Sequence, residues 1–155
     1  METLLAGLEG WPLAGALRSG RWSYAAVNAA HIVGIALLLG SIVPLNLRMF
    51  GLWSAVPVET LARVLVPVAA TGLALAITAG VMLFATRAGE YAANPFLQAK
   101  LALVAIGTLS ALALHASSGP WLQGAGRRRL AAHAAVSTLC WTGAILCGRL
   151  IAFAG

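Results

Sequence analysis

Four long stretches without a charged side chain constrain this sequence more than any other feature. Asp, Glu, Lys and Arg are all absent from residues 22–47, 64–86, 101–126 and 130–148. A helix that crosses the hydrocarbon core of a bilayer needs about 20 mainly apolar residues. Each stretch is long enough for one such helix, and none alternates in the way of a half-buried β-strand. The sequence therefore predicts four membrane-spanning helices.

The composition excludes the main alternatives. Hydrophobic residues make up 61% of the 155 residues and charged residues only 9%, whereas a soluble domain carries about 25% charged residues. The same apolar excess excludes disorder, and two cysteines are too few for a disulfide scaffold. The net charge of +6 does not indicate a nucleic-acid partner, because the basic residues flank the spans and form no stripe with interleaved aromatic residues.

Caps and helix breakers set the boundaries of the spans. Asn94 is an N-cap followed by a proline at the first helical position, and Pro120 follows a Ser-Ser-Gly stop. The predicted spans are about 24–50, 57–86, 95–116 and 128–153. The connections are short, so neighbouring helices should be antiparallel. The predicted fold class is all-α: an integral membrane up-down four-helix bundle that forms a single transmembrane domain over residues 1–155.

The first 21 residues are predicted to lie at the membrane interface as a short helix. Gly10 and Pro12 interrupt them, so they do not have the long apolar core of a secretory signal. Trp11 and Trp22 would anchor this segment among the lipid headgroups.

The arginines indicate an orientation. Three arginines flank the spans on the side of the termini, namely Arg18, Arg21 and Arg87. Five flank them on the other side, namely Arg48, Arg63, Arg127, Arg128 and Arg129. Cytoplasmic loops carry the excess of basic residues, so both termini are expected on the periplasmic or exterior face of a bacterial inner membrane.

The ionisable residues inside the predicted spans are candidates for function, because such residues are costly in lipid. They are His31, Lys100, His115, His133 and Arg149. The topology places His31, Lys100 and Arg149 in a layer near the termini, and the other two histidines in a second layer near Arg48. There is no Asp, and all four Glu lie outside the charge-free stretches, which disfavours a carboxylate-based ion transporter.

Each layer has the residues that a b-type haem site needs. Imidazole serves as an axial ligand of haem iron, and bundle cores commonly hold such cofactors. His31 and His115 are the preferred ligands and would serve separate sites, since they lie about 20 Å apart along the bundle axis. His115 and His133 could share one iron. In either layer, the nearby cations among Lys100, Arg149 and Arg48 would hold propionates or an anionic head group.

Other interpretations stand beside the haem site. His133 and Arg149 lie about 160° apart around the fourth span, so both should not face the core, and His133 is the weaker candidate because it lies near a loop. Lys100 and Arg149 could extend to the headgroups, and the histidines near the loops could simply be hydrated. Cys140 and Cys147 lie about 10 Å apart along one helix, which excludes a disulfide between them.

Several motifs along the chain resemble those of a known family. They are His31-Ile-Val-Gly34, Gly40-Ser41, Asn46-Leu-Arg48-Met-Phe-Gly51, Gly80-Val-Met-Leu-Phe84, Asn94-Pro-Phe-Leu-Gln-Ala-Lys100 with His115, Trp141, and Gly148-Arg-Leu-Ile-Ala-Phe153. The chain resembles a family of small bacterial four-helix inner-membrane proteins that has no assigned function. That family usually has an acidic residue where Asn46 stands here, so this chain lacks the carboxylate for a charge pair with Arg48.

A more distant resemblance suggests two activities. The combination of His31, Arg48 and Lys100 is similar to that of the CopD copper-resistance proteins and the HemJ-type protoporphyrinogen oxidases. The resemblance to HemJ-type proteins implies haem. The resemblance to CopD proteins implies copper movement, although the chain has only three Met and two Cys as soft ligands.

The sequence therefore favours a membrane-embedded haem b protein for electron transfer, working with a quinone or a partner redox subunit. One alternative is a CopD-like copper transport protein, with His31 and Met49 on one helical face as contacts. Another is a non-catalytic membrane anchor or accessory subunit. Whether the chain is an enzyme, and whether it forms a homo-oligomer, stay open at this point.

Overall fold

The computed structural model describes residues 2–151 and Phe153, with side chains from residue 6 onward. This part of the chain is all-helical and contains no β-strand, which confirms the predicted all-α class. The helices are α1 (Glu2–Glu9), α2 (Pro12–Ser19), α3 (Arg21–Phe50), α4 (Val58–Ala85), α5 (Ala88–Ala92), α6 (Pro95–Ser118) and α7 (Arg127–Ile151).

Four of these helices, α3, α4, α6 and α7, are long and apolar enough to cross a membrane. Their bounds lie within one helical turn of those expected from the sequence. The segment before α3 was expected to be one short helix, but it forms two. The break falls where Trp11 precedes Pro12 at the first position of α2.

Local sequence explains where the long helices begin and end. The Asn94 side chain accepts hydrogen bonds from the backbone N–H groups of Phe96 at 2.9 Å and Leu97 at 3.4 Å, and so caps α6. Helix α3 ends at Gly51, whose φ of +112° is the left-handed conformation that glycine adopts at low cost.

Helices α3 and α4 pack with their backbones in direct contact. A Cβ atom added to Gly34 would lie 2.6 Å from the amide nitrogen of Ala76, and one added to Gly72 would lie 2.6 Å from that of Leu38. Small residues permit this approach, as they do in membrane helix pairs. The pairing is antiparallel, since His31 of α3 lies against Gly80 of α4.

Helices α6 and α7 form a second antiparallel pair. Gly107 of α6 faces Cys140 and Trp141 of α7, and Gly143 of α7 faces Leu103. The two pairs meet where α3 contacts α7. The buried amide of Asn46 lies at this junction and donates to the hydroxyl groups of Ser137 at 3.0 Å and Thr138 at 3.1 Å.

The largest group of buried apolar side chains lies at one end of the molecule, where α3 and α6 end and α4 and α7 begin. Its buried members are Leu45, Met49, Val58, Ala62, Leu114, Leu122, Leu130 and Ala134. Within the described residues, α4 makes no close backbone approach to α6 or α7, and a cleft remains between them.

Candidate ligand-binding cleft

The cleft between the helix pairs has a volume of about 460 Å³. This size falls within the range of small-molecule sites, which runs from about 300 to 1,000 Å³. All four long helices contribute to its walls, and the buried Leu122 in the loop before α7 also lines it. The lining is mainly apolar, and its polar side chains are few. They are Asn46, Thr108, Ser110, His115, His133 and Ser137.

His115 presents an unpartnered nitrogen at this cleft. Its Nδ1 atom lies 2.8 Å from the carbonyl oxygen of Ala111, one turn earlier in α6. A carbonyl only accepts hydrogen bonds, so Nδ1 carries the proton and Nε2 carries the lone pair. Nε2 is buried and has no hydrogen-bond partner. Leaving a buried polar atom unsatisfied costs about 1–3 kcal/mol, which makes this atom a candidate for binding a ligand.

His133 reaches the same cleft from α7. Its Nδ1 atom lies 2.8 Å from the Ser110 hydroxyl oxygen, so the two helices are joined by this pair. The cleft therefore contains both histidines that the sequence placed in one layer. The sequence ranked His133 as the weaker candidate because of its place near a loop, yet it lines the cleft. Arg149 is exposed instead, with its guanidinium carbon 4.8 Å from the centre of the Phe153 ring.

His31 lies outside the cleft, in the contact between α3 and α4. Its Nδ1 atom is 2.7 Å from the carbonyl oxygen of Ala76. The ring reaches this carbonyl because Gly80 has no side chain: a Cβ atom there would lie 3.1 Å from Cε1 of the imidazole. This hydrogen bond joins two helices, and it gives His31 a structural role.

The remaining predicted cations do not line the cleft either. The Lys100 side chain lies across Gly148 of α7, where an added Cβ atom would lie 3.3 Å from Nζ. Arg48 donates to the backbone carbonyl groups of Val56 at 2.5 Å and Ser54 at 3.4 Å, so it closes the loop between α3 and α4. Of these three cations, the sequence placed only Arg48 in the layer of His115 and His133, and Arg48 bonds the loop instead of lining the cleft.

Sequence reasoning did not identify Ser110 or Arg63 as part of this region. Ser110 positions His133, but a single serine in an apolar helix gives no signal of that role. The guanidinium carbon of Arg63 lies 5.9 Å from the centre of the Trp121 ring, and Trp121 lines the cleft, so Arg63 places a positive charge near it. In the described part of the chain, no group of three or more His, Cys, Asp or Glu residues could hold a metal ion.

Comparison with protein-family models, curated proteins and solved structures finds no match for this chain. The resemblance to the small inner-membrane family, and the more distant one to CopD and HemJ-type proteins, therefore stay predictions.

Proposed function

We propose that this chain is a multi-pass protein of the bacterial inner membrane, an up-down four-helix bundle that binds haem b in the cleft and takes part in electron transfer. One observation carries the proposal: the unpartnered Nε2 atom of His115 is buried at an apolar cleft of about 460 Å³. That atom has the lone pair that an axial ligand of haem iron needs.

The hydrogen bond on the other side of the His115 ring supports the same role. Metal-ligating histidines almost always donate their second ring N–H to a carbonyl, a carboxylate or water, which fixes the tautomer and the ring orientation. The Nδ1 atom of His115 donates in this way to Ala111. Because this hydrogen bond is present without a ligand, the imidazole of His115 is already oriented for binding through Nε2.

Other residues at the cleft fit a haem in secondary roles. His133 is the candidate for a second contact with iron, held in place by Ser110. Arg63, near the Trp121 side of the cleft, replaces Lys100, Arg149 and Arg48 as the cation for a propionate. The apolar walls would exclude water from the ring. When bound, haem would supply one-electron redox chemistry, and a membrane quinone or a redox subunit would be the partner.

The copper alternative has less support. His31 and Met49 are 18 residues apart on the single helix α3, which separates them by about 27 Å at 1.5 Å per residue. One copper ion could not contact both side chains. The remaining alternative, a membrane anchor without a cofactor, is an outcome of the experiment below.

The test is a visible absorption spectrum of the full chain, purified in detergent after expression with added haem precursor, in oxidised and dithionite-reduced form. We expect a Soret band and reduced α and β bands. His115→Ala should lose them, because it removes the nitrogen that would bind the haem iron. The matched control is His31→Ala, which removes an imidazole outside the cleft and should keep the spectrum.

Two results would contradict the proposal. A featureless spectrum of the unaltered chain under adequate haem supply would exclude haem and favour the anchor. Loss of the bands in His31→Ala, with retention in His115→Ala, would show that haem binds away from the cleft.

A further inference from the structure

A second pocket, of about 600 Å³, lies at the end of the molecule where α3 begins and α4 ends. Three arginines line it, Arg18, Arg21 and Arg87, together with Tyr24 and Tyr91. No carboxylate is among its lining residues in the described part of the chain. The pocket shares no lining residue with the cleft that contains His115, and no sequence motif predicts it.

Short helices build one wall of this pocket and hold it in place. The Glu9 carboxylate accepts a hydrogen bond of 2.8 Å from the backbone N–H of Gly89, which ties α1 to α5. Arg18 donates to the carbonyl oxygen of Glu9 at 2.7 Å and to that of Thr86 at 3.3 Å. Leu17 is 4% exposed beneath them. Arg18 is thus fixed by backbone contacts and covers the carbonyl end of α4.

Arg21 and Arg87 are the cations available to a ligand. Arg21 lies at the start of α3, where the helix dipole adds positive potential, and its guanidinium carbon is 5.9 Å from the Trp22 ring centre. Arg87 pairs with Glu90 at 3.4 Å, and both side chains are more than two-thirds exposed. Such a surface pair contributes only about 0–1 kcal/mol to stability. Arg87 can therefore leave Glu90 and bind an anionic ligand that makes stronger hydrogen bonds with its guanidinium group.

Tyr91 provides a neutral hydrogen-bond donor beside these cations. Burial raises the pKa of its phenol, and the neighbouring Tyr24 raises it further. The group therefore keeps its proton at neutral pH. Tyr91 also stacks on Phe84, with ring centroids 6.4 Å apart, which limits its movement.

We propose that this pocket binds a phosphate group, carried by an anionic phospholipid or by a soluble phosphate ester. Arginine matches phosphate oxygens with two parallel N–H groups, and charge-assisted bonds of this kind are the strong ones. The pocket lies at the ends of two helices that are long enough to cross a bilayer, which is the depth of lipid headgroups. The volume leaves room for a glycerol unit beside the phosphate.

The experiment is native mass spectrometry of the full chain, released from a neutral detergent and titrated with phosphatidylglycerol. Arg21→Gln and Arg87→Gln should each weaken binding roughly tenfold, the loss of one charge-assisted contact. The matched control is Arg128→Gln, which removes the same charge from the opposite end and should leave binding unchanged. Tyr91→Phe, with no change in charge, should weaken binding roughly threefold.

Glycerol 3-phosphate distinguishes the two sources of phosphate. If glycerol 3-phosphate displaces the lipid at millimolar concentration, the pocket binds a soluble ester. If it does not, the pocket binds the lipid headgroup. Either result, together with weaker binding by the arginine variants, supports a phosphate site. Equal binding by Arg21→Gln, Arg87→Gln and Arg128→Gln would overturn it, because it would reduce the effect to general charge attraction. If an arginine variant does not yield a folded species, lipid binding by Tyr91→Phe tests the proposal instead. Unchanged binding by Tyr91→Phe would also contradict a phosphate site in this pocket. None of these results depends on haem.

Discussion

At the scale of single residues, His31 and His115 show how the same side-chain chemistry takes different roles. Each imidazole has its Nδ1 atom within hydrogen-bond distance of a backbone carbonyl. For His31 that carbonyl belongs to the neighbouring helix, so the bond joins α3 to α4. For His115 it belongs to the same helix, so the bond orients the ring and leaves a buried nitrogen at the cleft. His115 is the candidate ligand because its free nitrogen lies at the cleft, whereas the His31 ring lies between two packed helices.

Asn46 leads to a prediction about the junction between the helix pairs. Asn46→Leu should destabilise the protein by about 1–2 kcal/mol, because it removes two interhelical hydrogen bonds and each contributes of order 0.6 kcal/mol or more in membrane proteins. The measurement is thermal unfolding of the detergent-purified chain. Thr78→Val is the control, since the exposed Thr78 hydroxyl bonds only within α4. Equal melting temperatures for the two variants would contradict this role.

The depth of the candidate residues could be derived from the sequence, and their direction could not. Depth follows from the 1.5 Å rise per residue, and this placed His115 and His133 at one level. Direction depends on which neighbour a helix packs against. His133 faces the cleft because Ser110 of α6 lies beside it, and Lys100 lies along α7 because Gly148 leaves space there. A single sequence contains neither relationship.

At the scale of helices, the boundaries were predictable because local chemistry fixes them. Asn94 and Pro95 begin α6 through a side-chain cap and a preset φ angle, both of which involve only adjacent residues. The pairing of helices was less predictable. The gap between α4 and α6 has no signature, because all four long helices have similar apolar compositions. The gap depends on which helices pack together. Glycines allow α4 to pack closely on α3, and α7 to pack closely on α6.

The contact between α3 and α4 gives a prediction at this scale. Gly34→Ala should destabilise the protein by about 1–3 kcal/mol, the usual cost of overpacking. The added methyl group would lie 2.6 Å from the backbone nitrogen of Ala76, so the helices would have to separate. Gly40→Ala in the same helix meets no atom within 4 Å and should be neutral or slightly stabilising. Thermal unfolding compares the two, and equal melting temperatures would show that the close approach contributes nothing.

At the scale of the whole molecule, the arrangement is two antiparallel helix pairs joined mainly through α3 and α7. This arrangement explains why the two candidate sites are separate. The cleft with His115 lies next to the buried core at one end, whereas the arginine pocket lies at the end where α3 begins. If the long helices cross a bilayer, one site faces the hydrocarbon and the other the headgroups. The apolar lining of the first and the cationic lining of the second match those two environments.

The orientation in the membrane is the prediction that belongs to this scale. Three arginines flank the long helices at the end of the termini and five at the other end, so the loop before α7 should be cytoplasmic. Single cysteines can report this in a chain with Cys140 and Cys147 replaced, because Gly7 and Gly126 are exposed and an added Cβ meets no atom within 4 Å at either. A membrane-impermeant maleimide should label Gly7→Cys in intact cells, and Gly126→Cys only after permeabilisation.

The triple arginine tests the cause of that orientation. Changing Arg127, Arg128 and Arg129 to Gln leaves Arg48 and Arg63 against the three arginines at the other end, so the excess of positive charge changes sides. The labelling pattern of Gly7→Cys and Gly126→Cys should then become mixed or inverted. An unchanged pattern would show that something other than flanking charge sets the orientation. Labelling of both cysteines in intact cells of the unaltered arginine background would contradict the three crossings by α3, α4 and α6 between residue 7 and residue 126, since two residues on the same side of a membrane are separated by an even number of crossings.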